Sequence, residues 1–211
     1  MNIIIGDISY WGDKMKKINL KDYDDKFIDI YNSIEEIFPK SVLNQAFICK
    51  FFSNEYIVRF NEDIHYLFLI LDGRAKIYIV HENGKRALIQ FLKKGDFIGE
   101  LSLIEVEKNL KDVVAINDCT CLVIPLDSAK KYLLDDKLFL YNLSRYLGDK
   151  LLKRTAHYTA MQDYELKNRL AKYILQIEYN GYFQEKHTET AEYVGVSYRH
   201  LLYTLSQFRD D

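Results

Sequence analysis

The sequence predicts an α+β protein in which an N-terminal antiparallel β jelly-roll barrel is followed by a long helix and a C-terminal helix-turn-helix. Three observations predict this order. Short β-rich runs separated by turn residues fill 47–126, apolar residues recur at helical spacing through 127–162, and a helical pair around a glycine follows in 163–211. We therefore expect three regions, namely the barrel with its N-terminal helices (1–126), the long helix (127–162) and the helix-turn-helix (163–211).

Composition bounds the class of protein. The chain has 211 residues, 48% of them hydrophobic, which is enough for one large and one small core. The net charge of -2 gives no overall basic field, so any contact with DNA has to come from a local patch. Three cysteines without disulfide-framework spacing indicate a reducing compartment, and no apolar run approaches a signal peptide or the roughly 18 residues of a membrane span. A cytoplasmic protein without a membrane contact is expected.

The N-terminal part predicts a helix and then strands. Residues 1–46 are expected to be partly helical because apolar residues recur at helical spacing before Pro39. These residues are Phe27, Ile30, Tyr31, Ile34 and Ile37. The β-rich runs are AFICKFF, EYIVRF, YLFLIL, AKIYIV, RALIQFL, DVVAI and TCLVIPL. Asn83-Gly84 between two of them predicts a tight type I′ hairpin, and this many short strands predict a sandwich or barrel.

The helix expected from about 136 to 162 would be about 40 Å long. Leu140, Leu143, Leu147 and Leu151 form one stripe along it. A long apolar stripe beside a small β domain predicts self-association of two chains through this helix. The alternative is a helix folded back on its own barrel.

The end of the chain predicts two more helical units. Leu166, Leu170, Ile174 and Ile177 share one helical face, and Gly181 is expected to cap that helix.

Next, TETAEYVGVSYRHLLYTLSQF predicts a short helix, a turn at Gly195 and a second helix capped by Ser197. The small Ala191 lets the two helices approach each other.

The second of these helices has two faces. On a helical wheel, Leu201, Leu205 and Phe208 cluster toward the core. Arg199, Tyr203 and Ser206 lie opposite, with Tyr198 in the first turn. Donors and an aromatic edge at the start of a helix are typical of a recognition helix in the DNA major groove. The alternative is an ordinary helical hairpin with a polar outer face.

Other candidate sites carry little chemistry. Cys119 and Cys121 face the same side of a predicted strand, which fits either a metal or redox pair or two buried thiols; we favour buried thiols. The histidines form no metal-spaced set and are His65, His81, His157, His187 and His200. GVSYR fails the nucleophile-elbow pattern because its last residue is Arg199. No catalytic residue and no metal ligand is predicted, so an enzyme is not expected.

Three segments together resemble the Crp/Fnr family of transcription regulators. They are LDGRAKIYI, GDFIGELSLI and VGVSYRHLLYTLSQF, and the C-terminal EKHTETAEYVGVSYRHLLYTLSQF is similar to the YeiL-type branch. The resemblance implies a homodimeric regulator that binds DNA. Its parts would be a cyclic-nucleotide-binding-like barrel, a dimerisation helix and a winged helix-turn-helix.

The resemblance also implies which residues contact DNA. The first two turns of the recognition helix correspond to Tyr198, Arg199 and Tyr203, with Thr188 and His200 near phosphate and Ser197 at the helix start. Many members carry Arg or Glu where this chain has Tyr198 and Arg199, so the operator is not carried over. The chain stops at FRDD, where the family continues into a β-hairpin wing, and we expect weaker DNA affinity without most of that wing. The alternative function is a ligand-binding or interaction protein with a non-functional, truncated DNA-binding domain.

The family resemblance places a phosphate loop, as we call residues 99–111, between the fifth and sixth of the β-rich runs. Gly99, Glu100, Leu101 and Ser102 match the part that gives backbone N–H groups to a cyclic phosphate and a carboxylate to ribose. The Arg that should neutralise the phosphate falls at Asn109, Leu110 or Lys111, and no Arg occurs between Arg86 and Arg145.

Lys108 and Lys111 remain as substitute cations, and Thr155 corresponds to a position that touches the base across the dimer. The alternatives are a loop that only shapes the barrel and a site for another anion. No cofactor is expected, and cyclic AMP is disfavoured.

Overall fold

A computed structural model describes residues 16–18, 34, 37–81, 86–107, 111–178 and 181–210. Most of the predicted N-terminal helix, including Phe27, Ile30 and Tyr31, lies outside the described residues, as does the Asn83-Gly84 turn. No helix within these ranges is both long and apolar enough to cross a membrane.

The described strands build two sheets. The strands are β1 (Lys16–Ile18), β2 (Phe47–Phe51), β3 (Tyr56–Val58), β4 (Tyr66–Asp72), β5 (Arg74–Val80), β6 (Arg86–Lys93), β7 (Phe97–Ile98), β8 (Asp112–Ala115) and β9 (Cys119–Pro125). One sheet has the order β1-β2-β9-β4-β7, and the other has the order β3-β8-β5-β6. The predicted antiparallel pairing is confirmed for the pairs β1·β2, β2·β9, β3·β8, β4·β7 and β4·β9. Of the predicted sandwich or barrel, the sandwich is correct, because the described strands form two sheets and not a closed barrel.

Two strands carry the centre of the sandwich. Residues 67–71 of β4 and residues 119–124 of β9 are buried without interruption. Such continuous apolar runs are typical of strands covered on both faces. β9 pairs with both β2 and β4. Because these neighbouring strands are not consecutive in sequence, the chain has to cross over between them. The first sheet is therefore held together around β9.

An aromatic cluster joins the start of the long helix to this core. The ring of Phe139 lies with its centroid 5.8 Å from that of Phe38 and 6.5 Å from that of Phe97. All three rings are buried, and edge-to-face geometry of this kind adds to the burial energy. The long helix consequently begins against the sandwich.

The helices are α1 (Lys40–Leu43), α2 (Glu100–Leu103), α3 (Leu126–Leu133), α4 (Lys137–Asp163), α5 (Leu166–Ile177), α6 (His187–Val194) and α7 (Tyr198–Asp210). The helix expected from about 136 to 162 is confirmed as α4, which has 27 residues. The chain divides into two compact units, one within 1–77 and 90–142 and the other within 78–89 and 143–211. The domain boundaries expected at 126 and 162 stay predictions.

Two expectations about the helices are corrected. The stripe on α4 is not one solvent-facing surface, because Leu143 is buried, Leu140 and Leu147 are half-buried and only Leu151 is exposed. Gly181 does not cap α5, whose C-cap is Glu178 in an extended conformation. Instead, the Gly181 N–H donates to Glu178 Oε2 at 2.8 Å.

Candidate functional site

The phosphate loop begins with a glycine that the backbone requires. Gly99 has φ +89°, and a Cβ there would lie 2.9 Å from the carbonyl oxygen of Tyr66 and 3.0 Å from Ile64 Cδ1. Only glycine combines that left-handed conformation with such a close approach to a neighbouring strand. The packing of β4 thus explains Gly99 without any ligand.

The next residues form the short helix α2. Glu100 is only 4% exposed, while Leu101 and Ser102 are half-buried. The Leu103 N–H donates to the Gly99 carbonyl at 2.9 Å, which fixes the loop as one helical turn. The four predicted residues Gly99 to Ser102 therefore lie together in the first unit.

The candidate cation Lys111 forms an ion pair with Glu107 at the end of this loop. The Lys111 ammonium donates to Glu107 Oε1, and the Ser102 hydroxyl donates to Glu107 Oε2 at 3.3 Å. The Lys111 and Glu107 side chains are 21% and 12% exposed, so the pair is partly shielded from water. The cation that sequence reasoning offered to a phosphate is already neutralised by a carboxylate of the same chain. Sequence reasoning missed Glu107, although its four-residue distance from Lys111 was visible.

The structure does not bring the other two predicted ligand residues, Lys108 and Thr155, to this loop as a described contact. Lys108 is outside the described residues. Thr155 is exposed on the part of α4 that belongs to the second unit, and its hydroxyl donates to the Leu151 carbonyl at 3.0 Å. This hydrogen bond along the helix uses the Thr155 donor locally.

The cysteines behave as core residues. Cys49, Cys119 and Cys121 are all buried free thiols, and the two sulfurs of Cys119 and Cys121 are 3.8 Å apart. The predicted shared side of the strand is confirmed by this distance. The hydrogen bond with Cys119, together with burial, raises the pKa of the Cys121 thiol well above its ordinary value. A thiol held protonated is a poor nucleophile and a poor metal ligand.

The helix-turn-helix is built as the sequence predicted. Gly195 has φ +72° and ends α6, and its N–H donates to the Glu192 carbonyl at 3.2 Å. The Ser197 hydroxyl accepts from the His200 N–H at 3.3 Å, which is the predicted N-cap bond. Ala191 is buried, as a close helix contact requires.

The inner face of α7 differs in one residue from the prediction. Leu201 is fully buried, whereas Leu205 and Phe208 are half-buried. Thr204 takes a core position instead, where its hydroxyl donates to the His200 carbonyl at 3.0 Å. A threonine can be buried here because that backbone bond satisfies its polar group.

The outer face presents the predicted contact residues to solvent. Tyr198 and Tyr203 are 49% and 63% exposed. Thr188, Ser197, Arg199 and His200 are exposed as well. The helix therefore offers a guanidinium, an imidazole and two phenol groups on the side away from its core.

Sequence reasoning missed the residues that brace this turn. Arg169 of α5 donates through Nη1 to the Val194 carbonyl at 2.6 Å, directly before Gly195. The ring of His157 stacks on Tyr193 of α6 with centroids 4.5 Å apart, and Tyr193 in turn lies 4.8 Å from Tyr173. Burial lowers the pKa of His157 from its ordinary value. No local sequence motif predicts such contacts, because they join residues of α4, α5 and α6 that are far apart in sequence.

Comparison with known proteins decides the family. Residues 48–136 match the cyclic nucleotide-binding domain. Over 180 residues, 85% of this chain and 82% of the other, the sequence is 38% identical to the regulatory protein YeiL of Escherichia coli O157:H7. The chain belongs to the Crp/Fnr family of transcription regulators.

Two further proteins are similar to this chain, one in sequence and one in fold. The cAMP-activated global transcriptional regulator Vfr of Pseudomonas aeruginosa is 29% identical over 115 residues, 53% of this chain and 54% of that protein. The c-di-GMP-responsive global regulator CLP of Xanthomonas campestris has the same fold, with a TM-score of 0.66 over 86% of this chain and 92% of that chain at 15% identity. The predicted function of a DNA-binding transcription regulator with a cyclic-nucleotide-binding-like domain is confirmed.

Proposed function

We propose that this regulator binds operator DNA as a homodimer and that its phosphate loop does not take cyclic AMP. The observation that carries the DNA contact is the orientation of α7. Tyr198, Arg199 and Tyr203 are exposed while Leu201 and Thr204 hold the helix to its unit.

The proposed DNA contacts follow from the chemistry of these side chains. The Arg199 guanidinium is suited to a bidentate bond with guanine O6 and N7 in the major groove. Tyr198 and Tyr203 bring hydroxyl donors to phosphate or base edges, and Thr188 and His200 would contact the backbone. Ser197 acts through the start of α7, since its hydroxyl fixes the first turn.

Dimerisation through α4 is supported by apolar side chains that this chain leaves in solvent. Leu151, Leu152 and Tyr158 are each more than 60% exposed. Leu151 and Tyr158 are seven residues apart, which is the repeat of a helix-to-helix seam, and Leu152 lies next to Leu151. Apart from the backbone of α4 itself, no atom of the described residues lies within 4 Å of a Cβ built at Gly148, so a second helix can approach closely there.

The exclusion of cyclic AMP is supported by the pairing of Lys111 with Glu107. A phosphate entering this loop would meet a carboxylate before it met a free cation, and like charges repel strongly in a partly buried site. Activity as a cytoplasmic regulator without catalysis is part of the same proposal. The three free buried thiols support the reducing compartment that this proposal includes.

Two titrations test the proposal. Fluorescence anisotropy with promoter DNA should show sequence-selective binding that weakens steeply with salt, because counterions leave the DNA on binding. Calorimetric titration with cyclic AMP should show no binding at micromolar concentration. DNA binding without sequence selectivity would contradict the proposed contact through α7. Binding of cyclic AMP at micromolar concentration would contradict its exclusion by the Lys111–Glu107 pair.

A further inference from the structure

We propose that the Glu107 carboxylate occupies the anion position of the phosphate loop, so that the chain supplies its own anion there. The ligand class that the same groups would otherwise take is a phosphate. The proposal rests on the function proposed above and goes further, because it predicts that one substitution creates an anion site. Binding of phosphate would then require the removal of Glu107.

The geometry of the three side chains supports this assignment. Two donors converge on Glu107, the Lys111 ammonium on Oε1 and the Ser102 hydroxyl on Oε2. An ammonium and a hydroxyl that converge on neighbouring oxygens form a common set of phosphate donors. A carboxylate and a phosphate present the same pair of acceptor oxygens to such donors. The donors are therefore arranged for an anion, and Glu107 is the anion that they hold.

The backbone on both sides holds the pair in place. Before Glu107, the Val106 N–H donates to the Leu101 carbonyl at 3.0 Å, which ties the turn to α2. After Lys111, Asp112 begins β8, and its Oδ1 accepts from the Phe60 N–H at 3.1 Å. Both partners thus start from anchored backbone, so little further backbone freedom is lost when they pair.

An intramolecular anion has a large advantage over a ligand. Two groups on one short segment meet at an effective concentration on the order of millimolar or more, whereas a regulatory ligand is dilute. Partial burial strengthens the pair further, since Lys111 and Glu107 are mostly shielded from water and salt. A free phosphate has to displace Glu107 before it can reach Lys111.

Removal of the carboxylate gives a direct test by calorimetry with inorganic phosphate. Glu107→Gln keeps the size of the side chain and removes its charge, and Glu107→Ala opens space as well. Either variant should bind phosphate at least about tenfold more tightly than the wild type. Adding Lys111→Met to Glu107→Gln should abolish the gain, because the ammonium is the phosphate donor.

The matched control is Glu105→Gln. Glu105 lies two residues away and pairs with Lys130 at 2.7 Å, so this variant makes the same charge change without touching Lys111. Circular dichroism shows whether each variant is folded. If Glu107→Gln does not fold, the comparison is made with Glu107→Ala.

Equal phosphate binding by wild type and both Glu107 variants, or an equal gain in Glu105→Gln, would overturn the inference. A separate arm distinguishes the two proposals. Micromolar binding of cyclic AMP to the wild type would overturn the proposed function, whereas absence of that binding together with no gain in the variants overturns the inference alone.

Discussion

Gly195→Ala is expected to destabilise the second unit through two separate causes. The residue has φ +72°, and an ideal Cβ there would lie 2.4 Å from Met161 Cε. A left-handed conformation costs about 1–2 kcal/mol for a residue with a Cβ. Overpacking costs about 1–3 kcal/mol, and the lower part of that range applies because the end of a methionine is flexible.

Gly181→Ala separates these causes. Gly181 has a similar φ of +79°, but beyond its chain neighbours no atom of the described part of the chain lies within 4 Å of its added Cβ. Both substitutions also reduce the entropy of the unfolded chain equally, so that contribution cancels in the comparison. We expect a loss of unfolding free energy of about 1–2 kcal/mol for Gly181→Ala and about 1 kcal/mol more for Gly195→Ala.

Urea denaturation measures the difference, and a double variant identifies its origin. Met161→Ala removes the group that the new Cβ would meet, so the added cost of Gly195→Ala should disappear in that background. If Gly195→Ala is no more destabilising than Gly181→Ala, the close packing of α4 against the turn is not present in solution.

Three further predictions concern the second unit and α4. Arg169→Met should cost about 1.5–3 kcal/mol of unfolding free energy, since it removes a charged hydrogen bond to the last carbonyl of α6, whereas the exposed Lys172→Met on the same helix should cost little by urea denaturation. The pKa of His157 is lowered by burial, so the unfolded chain binds more protons and stability should fall as pH drops below about 6.5; His157→Phe should show a smaller loss of urea midpoint between pH 7.5 and 5.5. Leu152→Lys should convert dimers to monomers in analytical ultracentrifugation, whereas Leu175→Lys, an equally exposed change outside α4, should not.

The sequence located most strands and helices because their signals are local. The runs YLFLIL and TCLVIPL lie within β4 and β9, apart from Leu126, which begins α3. The cap at Ser197 was predictable because a hydroxyl and the N–H that it accepts from are three residues apart. β7 was not predicted because a strand of two residues is too short to show an alternation of apolar and polar residues.

Features that depend on distant residues were less accessible. The division into two sheets is set by pairings such as Phe47 with Val123, which no local pattern encodes. A helical stripe indicates which residues share a face, but it does not indicate what covers that face. Leu143, which the stripe includes, is buried within this chain. In the phosphate loop, the family resemblance concerns the residues that contact a ligand, so it assigns no role to Glu107, although Glu107 lies four residues before Lys111.

Sequence-selective enrichment from random DNA, followed by anisotropy on the enriched site, tests the proposed DNA contact most directly. A homodimer reading DNA through α7 should enrich two related half-sites about one helical turn apart, with centres about 34 Å from each other. Arg199→Ala should weaken binding to the enriched site by about 1–3 kcal/mol and relax the preference at one base pair of each half-site. Enrichment of no repeated sequence, or a selectivity unchanged in Arg199→Ala, would contradict the proposed role of α7.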